Sequence, residues 1–330
     1  VGTKIYFGDE PVTIKRSKIR GEESFGMICA EDEIGIGTSH EGIIVLPDDA
    51  EVGMLAKDYY NVKSDFVLEV DITPNRIDAA SHYGVARDLA AYLKQSGKPF
   101  SLTKPSVDGF KTDKSEGGID VVVENSAACP RYSGLTVRGV TVKESPDWLK
   151  NKLLVIGLRP INNIVDIANV MMMFYGHPLH IFDYDKIVNK HILVRFASKG
   201  ETLEAIDNKD YTLQNNDLVI ADEIHPIGLA GMIGSKDTEI DAKTNQVFIE
   251  SAYFNPTIIM QTSNRLNLVT DASSRFGRGV EPTQIRDVLV QTGSLISILG
   301  NATIAGEVLS EGAYPVLQHN IQLKLSYFTK

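Results

Sequence analysis

Between Arg159 and Asp183 the chain reads RPINNIVDIANVMMMFYGHPLHIFD, with Ile161, Ile164, Val165, Ala168, Met171 and Met172 recurring near helical spacing. Asp166 and Asn169 fall among these apolar positions, so the spacing predicts a buried helix that carries polar groups inward. Gly176 stops the helix and Pro178 prevents a restart. A buried carboxylate or amide is costly unless it is hydrogen-bonded, which requires either an internal network or a pocket beside this helix.

The same patterning divides the rest of the chain. Residues 1–47 alternate short β-like runs (KIYF, VTIKRSKI, GMICA, GIIVLP) with glycine-rich turns, which predicts part of a small barrel. FVLEVDI, from Phe66 to Ile72, alternates as a strand. A helix follows, with Asp78 as its N-cap and Ala79, Tyr83, Ala86, Leu89, Ala90 and Leu93 on one face, closed by Gly97. Residues 97–118, rich in Lys, Ser, Pro, Gly and Asp, read as a linker and the main domain boundary. Strands are predicted at 119–124 and 131–142, then in HILVRFA, ETLEAI, DLVIAD and QVFIESAYF. Helices open at Ser145-Pro146, Asn255-Pro256 and Glu281-Pro282, where proline suits the first turn. Without a strict β-α-β alternation the fold class is α+β and multidomain.

A length of 330 residues predicts two or three domains, and 43% apolar with 23% charged residues is ordinary globular composition. No run approaches the roughly 18 to 20 apolar residues of a membrane span, and no charged-then-apolar leader is visible, so a soluble, cytoplasmic protein is expected. Cys29 and Cys129 are too few for a disulfide framework or a zinc site and read as two buried thiols. The net charge of −10 argues against sequence-independent coating of nucleic acid, which depends on neutralising phosphates. One local exception is the N-terminal stretch, where Lys4, Lys15, Arg16, Lys18 and Arg20 outnumber Asp9 and Glu10. The chain opens at Val1 and closes just after a strand-like IQLKLSYF, as expected of a piece of something longer.

P-loop, GxGxxG, HExxH and GxSxG signatures are missing. His177 and His180 flank a proline turn without a nearby zinc-like ligand cluster, so no metal is expected there. In HPIGLAGMIGSKDTEI, Gly228, Gly231 and Gly234 recur every three residues, either for close backbone approach to a ligand or for a bend between packed strands. Glu250 ends the apolar run QVFIE, so a carboxylate sits close to the core and needs a donor from the protein or from a ligand. VTDASSRFGRGVEP packs Thr270, Ser273 and Ser274 beside Arg275 and Arg278, as a polar loop lining a site or as a helix start.

Taken together, TPNRIDAASHYGVARDLAA, RPINNIVDIANVMMMFYGHPLHIFDYDKI, LAGMIGSKDTEI, FIESAYFNP and TDASSRFGRGVEP resemble the β subunit of bacterial phenylalanyl-tRNA synthetases, in order and over nearly the whole chain. The resemblance implies an OB-like tRNA-binding domain ending within residues 1–48 and a second part of its host domain at 49–97. It further implies a linker at 98–118, a mixed α+β editing domain at 119–309, and the start of a following domain at 310–330. It implies that Lys15, Arg16, Lys18 and Arg20 contact tRNA(Phe). In the editing site it assigns His180, Asn169 and Thr270 to catalysis, and Glu250, Gly234, Gly231, Ala272 and Arg159 to substrate binding. Family members often carry threonine at the position of Ala168 and glycine at that of Ser235, so a hydroxyl contact at Ala168 is lost here and one glycine wall is altered. The family's reaction is hydrolysis of tyrosine mistakenly esterified to tRNA(Phe), with no cofactor in this portion. ATP, magnesium and an α subunit in an α2β2 assembly belong to the full synthetase, and this piece alone is not expected to aminoacylate. The competing expectation is a tRNA-binding scaffold piece without activity.

Overall fold

The computed structural model describes residues 2–7, 10–37, 39–60, 66–107, 110–113, 118–312, 320 and 322–327. Two compact units divide at Leu68/Glu69. The first contains two antiparallel hairpins, β1 (Lys4–Phe7) with β2 (Glu10–Thr13) and β3 (Ser17–Ile19) with β4 (Glu22–Ser24), and the short helix α1 (Ala56–Tyr59). Arg20 and Gly21 turn the second hairpin with φ of 53° and 94°, the left-handed pair that matches strand twist in a two-residue loop. The hairpins are separate sheets, so the expected barrel does not close among the described residues, and GMICA and GIIVLP are not strands.

The second unit stacks two sheets and a helical layer. A five-stranded sheet has the order β13-β12-β11-β8-β5 and a four-stranded one the order β15-β6-β14-β7. The members of the first are β5 (Asp120–Val123), β8 (His191–Phe196), β11 (Leu218–Ala221), β12 (Pro226–Leu229) and β13 (Ile233–Gly234). Those of the second are β6 (Arg131–Arg138), β7 (His180–Asp183), β14 (Gln246–Tyr253) and β15 (Thr303–Glu311). The hairpin of β9 (Thr202–Glu204) and β10 (Asp210–Thr212) stands apart. The helices are α2 (His82–Gln95), α3 (Asp147–Leu154), α4 (Asn163–Tyr175), α5 (Pro256–Leu266), α6 (Asp271–Arg278) and α7 (Ile285–Gly300).

Strand alternation sorts the core into two. Along β14, Phe248 and Ala252 join Tyr132 and Phe182 in a cluster shared with Ile220, Ile227 and Leu229 of the other sheet. Val247 and Ile249 point the opposite way, with Leu135, Val137 and Ile181, against Ile164 and Ile167 of α4 and Val288 and Ile296 of α7. Glu250 shares parity with Phe248 and Ala252 and therefore faces the space between the sheets.

The central helix forms and is closed by Gly176 at φ 72°, but it starts at Asn163, so Ile161, expected on its buried face, lies ahead of the N-cap and is exposed. Asp166, with Asn163 in place of the expected Asn169, forms an internal network. Asp166, fully buried, accepts from Ser145 Oγ at 2.6 Å and from the Ile161 amide at 2.8 Å. Asn163 donates to the Thr141 carbonyl and accepts from the Lys143 amide. These bonds pin the 141–145 and 161 segments to α4. Asp166→Ala orphans a buried hydroxyl and a backbone N–H, and is expected to cost about 2–4 kcal/mol. The urea midpoint should fall with an unchanged slope.

Three expectations are corrected. Residues 66–72 form no strand. The N-cap of α2 is Ser81, accepting from the Gly84 amide, because Asp78 is held by Arg76. The stretch 98–118 does not mark the division between units. Lys104 pairs with Asp287 at 2.5 Å, Gln291 donates to the Pro105 carbonyl, and the Asp113 amide donates to Ile304, so the segment is tacked along α7 and β15.

Candidate functional site

Glu250 lies opposite His180 of β7 on one side and Gly134 of β6 on the other, in antiparallel register. Directly paired residues project to the same face, so the carboxylate and the imidazole are set side by side by backbone pairing. They line a small cavity of about 50 Å³, room for a few waters. Gly228, Leu229, Gly231 and Gly234 form the wall from the five-stranded sheet, and Ala272 and Phe276, one turn apart on α6, form another.

The glycines serve different ends. Gly231 has φ 67°, and a Cβ there would sit 2.9 Å from the Phe276 ring, so it is a turn residue in close packing. Gly234 is not forced by its backbone. A Cβ there would meet His180 Cε1 at 2.3 Å and Nε2 at 2.6 Å, so the missing side chain is what admits the imidazole. His180 also packs edge-on to Phe182, with ring centroids 4.3 Å apart.

Electrostatics follow from burial. Desolvation pushes the Glu250 carboxyl up to about 7 and the His180 imidazole down to about 4, so near neutrality the imidazole is uncharged and the carboxyl is poised. The Tyr132 hydroxyl, fully buried on β6, stands close enough to favour the charged form of Glu250. The contact falls short of hydrogen-bond geometry, and Tyr132 Oη and Glu250 Oε2 are both buried without a partner. Burial and then Glu250 push the Tyr132 phenol and the Cys129 thiol well above their ordinary ranges.

Of the residues expected in the site, His180, Glu250, Gly231, Gly234 and Ala272 share this cavity, while Arg159, Asn169 and Thr270 are not part of its wall. Arg159 is exposed ahead of α4, and Asn169 is half-buried on that helix. Thr270 is the N-cap of α6 in a capping box with Ser273, and its hydroxyl donates to the carbonyl of Met232, a wall residue. The segment 269–282 is thus a helix start that anchors the wall. His177 faces the helical layer, where its Nε2 lies 3.0 Å from Ser251 Oγ and that hydroxyl donates to the Ile285 carbonyl. Tyr132 and Phe276 were not singled out from the sequence. Phe276 falls four residues after Ala272, a readable helical signal, but the diagonal placement of Tyr132 depends on a pairing that local sequence does not state.

In the first unit Lys15, Arg16, Lys18 and Arg20 are exposed on and beside the β3–β4 hairpin. Arg16 pairs with Glu23 and covers the Phe25 ring; among the described residues the other three have no ion-pair partner. No cluster of three or more His, Cys, Asp or Glu is placed to hold a metal among the described residues. No helix among them is long and apolar enough to cross a membrane.

Comparison with known proteins bears on these observations. The family described as the B3/4 domain matches residues 128–301, which carry the whole cavity wall. The chain is 54% identical to the phenylalanine–tRNA ligase beta subunit of Bacteroides fragilis, over 98% of this chain and 39% of that protein. It is 49% identical to that of Porphyromonas gingivalis over 93% and 37%, and 40% identical to that of Fusobacterium nucleatum over 96% and 39%. A solved N-terminal fragment of the Pyrococcus horikoshii phenylalanyl-tRNA synthetase beta subunit is similar with a TM-score of 0.41 and 16% identity, covering 70% of this chain and 60% of that one. The chain spans about 39% of the length of the first of these curated relatives. Through its B3/4 domain, and at about half identity over nearly all its residues, the chain belongs to the phenylalanine–tRNA ligase beta subunit family.

Proposed function

We propose that this chain is the hydrolytic editing portion of a phenylalanine–tRNA ligase, clearing tyrosine from tRNA(Phe), and that it does not aminoacylate by itself. The observation that carries the reading is Glu250, a buried carboxylate with an unpartnered oxygen on the wall of a cavity. A tyrosyl hydroxyl donates to that oxygen, whereas a phenylalanyl ring leaves it buried and unpaired. Sites of this kind discriminate by about 10⁴ to 10⁵. Gly234 makes room for the His180 imidazole, and Ala272 keeps the α6 wall small where the ring enters.

The scissile ester then lies toward the mouth. His180, neutral at physiological pH, orients the attacking water or the ester, and the reaction is hydrolysis by a positioned water. Ser251 is no nucleophile, because it faces the other side of β14 with its proton committed to Ile285. Asn169, Thr270 and Arg159 act further out, on the terminal adenosine, with Thr270 holding the Met232 loop. The remaining partners of the reading are tRNA(Phe), an α subunit, and the ATP and magnesium used by the complete ligase. The test is release of amino acid from tyrosyl-tRNA(Phe) and phenylalanyl-tRNA(Phe) incubated with the 330-residue chain. Rapid release of tyrosine only is expected; release no faster than in buffer overturns the reading. A non-catalytic tRNA-binding role is favoured by one observation, the unpaired Lys15, Lys18 and Arg20, and the same assay combined with tRNA binding separates the two.

A further inference from the structure

We infer that Tyr132 is a positioning residue that holds Glu250 toward a bound hydroxyl, an inference that rests on reading Glu250 as the acceptor for tyrosine. Tyr132 sits opposite Ala252, two residues along β14 from Glu250, so the phenol and the carboxylate are diagonal neighbours on the face between the sheets. The phenol is wholly buried, and its hydroxyl has no partner. Buried tyrosine hydroxyls ordinarily find one. The nearest ionisable acceptor is Glu250, which has an orphan of its own in Oε2. Cys129 does not compete, because its thiol points at the Arg131 carbonyl, 3.5 Å away.

Two orphans side by side beside a cavity are resolved together by one event. When a ligand hydroxyl donates to one carboxylate oxygen, the Tyr132 hydroxyl closes onto the other, and the carboxylate is held in a single orientation with both oxygens satisfied. The pairing supplies a proton-donor contact without a second charge, so the acceptor stays anionic. The titratable groups facing Glu250 are Tyr132 and Cys129 at the β6 end and His180 on β7. The first two stay protonated and the imidazole stays neutral across the middle of the pH range, so Glu250 is the group that changes charge there.

Tyr132→Phe removes only the hydroxyl. The kcat/KM for tyrosyl-tRNA(Phe) at pH 7 is expected to fall about 10-fold or more. The acidic limb of the pH–rate profile should move upward by about half a unit to one unit, because a donor that favours the charged carboxylate has been lost. A packing defect would lower the rate equally at every pH. Wild-type rate with an unmoved limb overturns the inference, as does a uniform loss. Glu250→Ala separates the two readings: if it edits like wild type, the acceptor role of Glu250 fails; if it is impaired while Tyr132→Phe is not, only the role of Tyr132 fails. In the unmodified chain, the carbon-13 resonance of the Tyr132 ring carbon bearing the hydroxyl should titrate with a midpoint at about 7. No such titration overturns the inference even if the variant does not fold.

Discussion

Glu250→Ala is expected to slow hydrolysis of tyrosyl-tRNA(Phe) by one to two orders of magnitude, the equivalent of losing a hydrogen bond to a charged group at about 1.5–3 kcal/mol. Stability should move the other way. Burial raises this carboxyl from 4.5 to about 7, so between those values the folded chain holds a proton that the unfolded chain has released. Glu250 therefore contributes no penalty below pH 4.5, an increasing one as pH rises through that window, and a full one of about 3 kcal/mol above pH 7. Glu250→Gln, which keeps the shape and removes the charge, should melt higher than the parent at pH 8 and level with it near pH 4.5. Melting curves at the two pH values, taken with the deacylation rate of Glu250→Ala, check both halves. An alanine variant that melts markedly lower yet edits normally per folded molecule would mean that Glu250 is structural.

Gly234→Ala is expected to reduce the same reaction by about 100-fold through sterics alone. The added methyl would stand 2.3 Å from His180 Cε1, and the imidazole cannot simply retreat because Phe182 packs against it edge-on. Either the ring swings into the cavity or β13 shifts outward, at a stability cost of about 1–3 kcal/mol. Gly277→Ala on α6, outside the cavity wall, is the control. Its methyl would meet nothing closer than 3.7 Å and should leave both rate and melting near the parent values. Deacylation by the two variants side by side checks the argument, and equal rates would remove His180 from the account.

The parts of this fold that were readable from sequence are those whose signal is local. The central helix announces itself by apolar spacing and the Gly176 stop, and α5 by Asn255 and Pro256 in cap and first-turn positions. FVLEVDI alternates as well as any strand in the chain, yet 66–72 forms no strand, because alternation states only a preference and long-range pairing decides the outcome. Asp78 looked like a cap until Arg76, two residues earlier, claimed it. In the cavity, the closeness of Glu250 to the core could be read from QVFIE, but which layer it faces could not. That choice is made by register with β6 and β7, more than sixty residues away along the chain. Thr270 illustrates the reverse case: its hydroxyl type suggested a site, whereas its position before an acidic first turn spelled a helix cap.

The pairing of β14 with β7 has a consequence for how such a chain tolerates change in length. Glu250 and His180 meet because three further pairs, Ile249 with Ile181, Phe248 with Phe182 and Val247 with Asp183, fix the ladder beneath them. A single residue added to or deleted from either run would turn the carboxylate away from the imidazole and toward the helices, and would bring apolar side chains into the cavity in its place. The turn of the β9–β10 hairpin, 207–209, bears no such constraint: it is exposed, whereas Leu203 and Tyr211 anchor the hairpin strands in the core. Insertions and deletions among descendants of this sequence should therefore collect in that turn, while 180–183 and 246–253 keep their length even where their side chains drift.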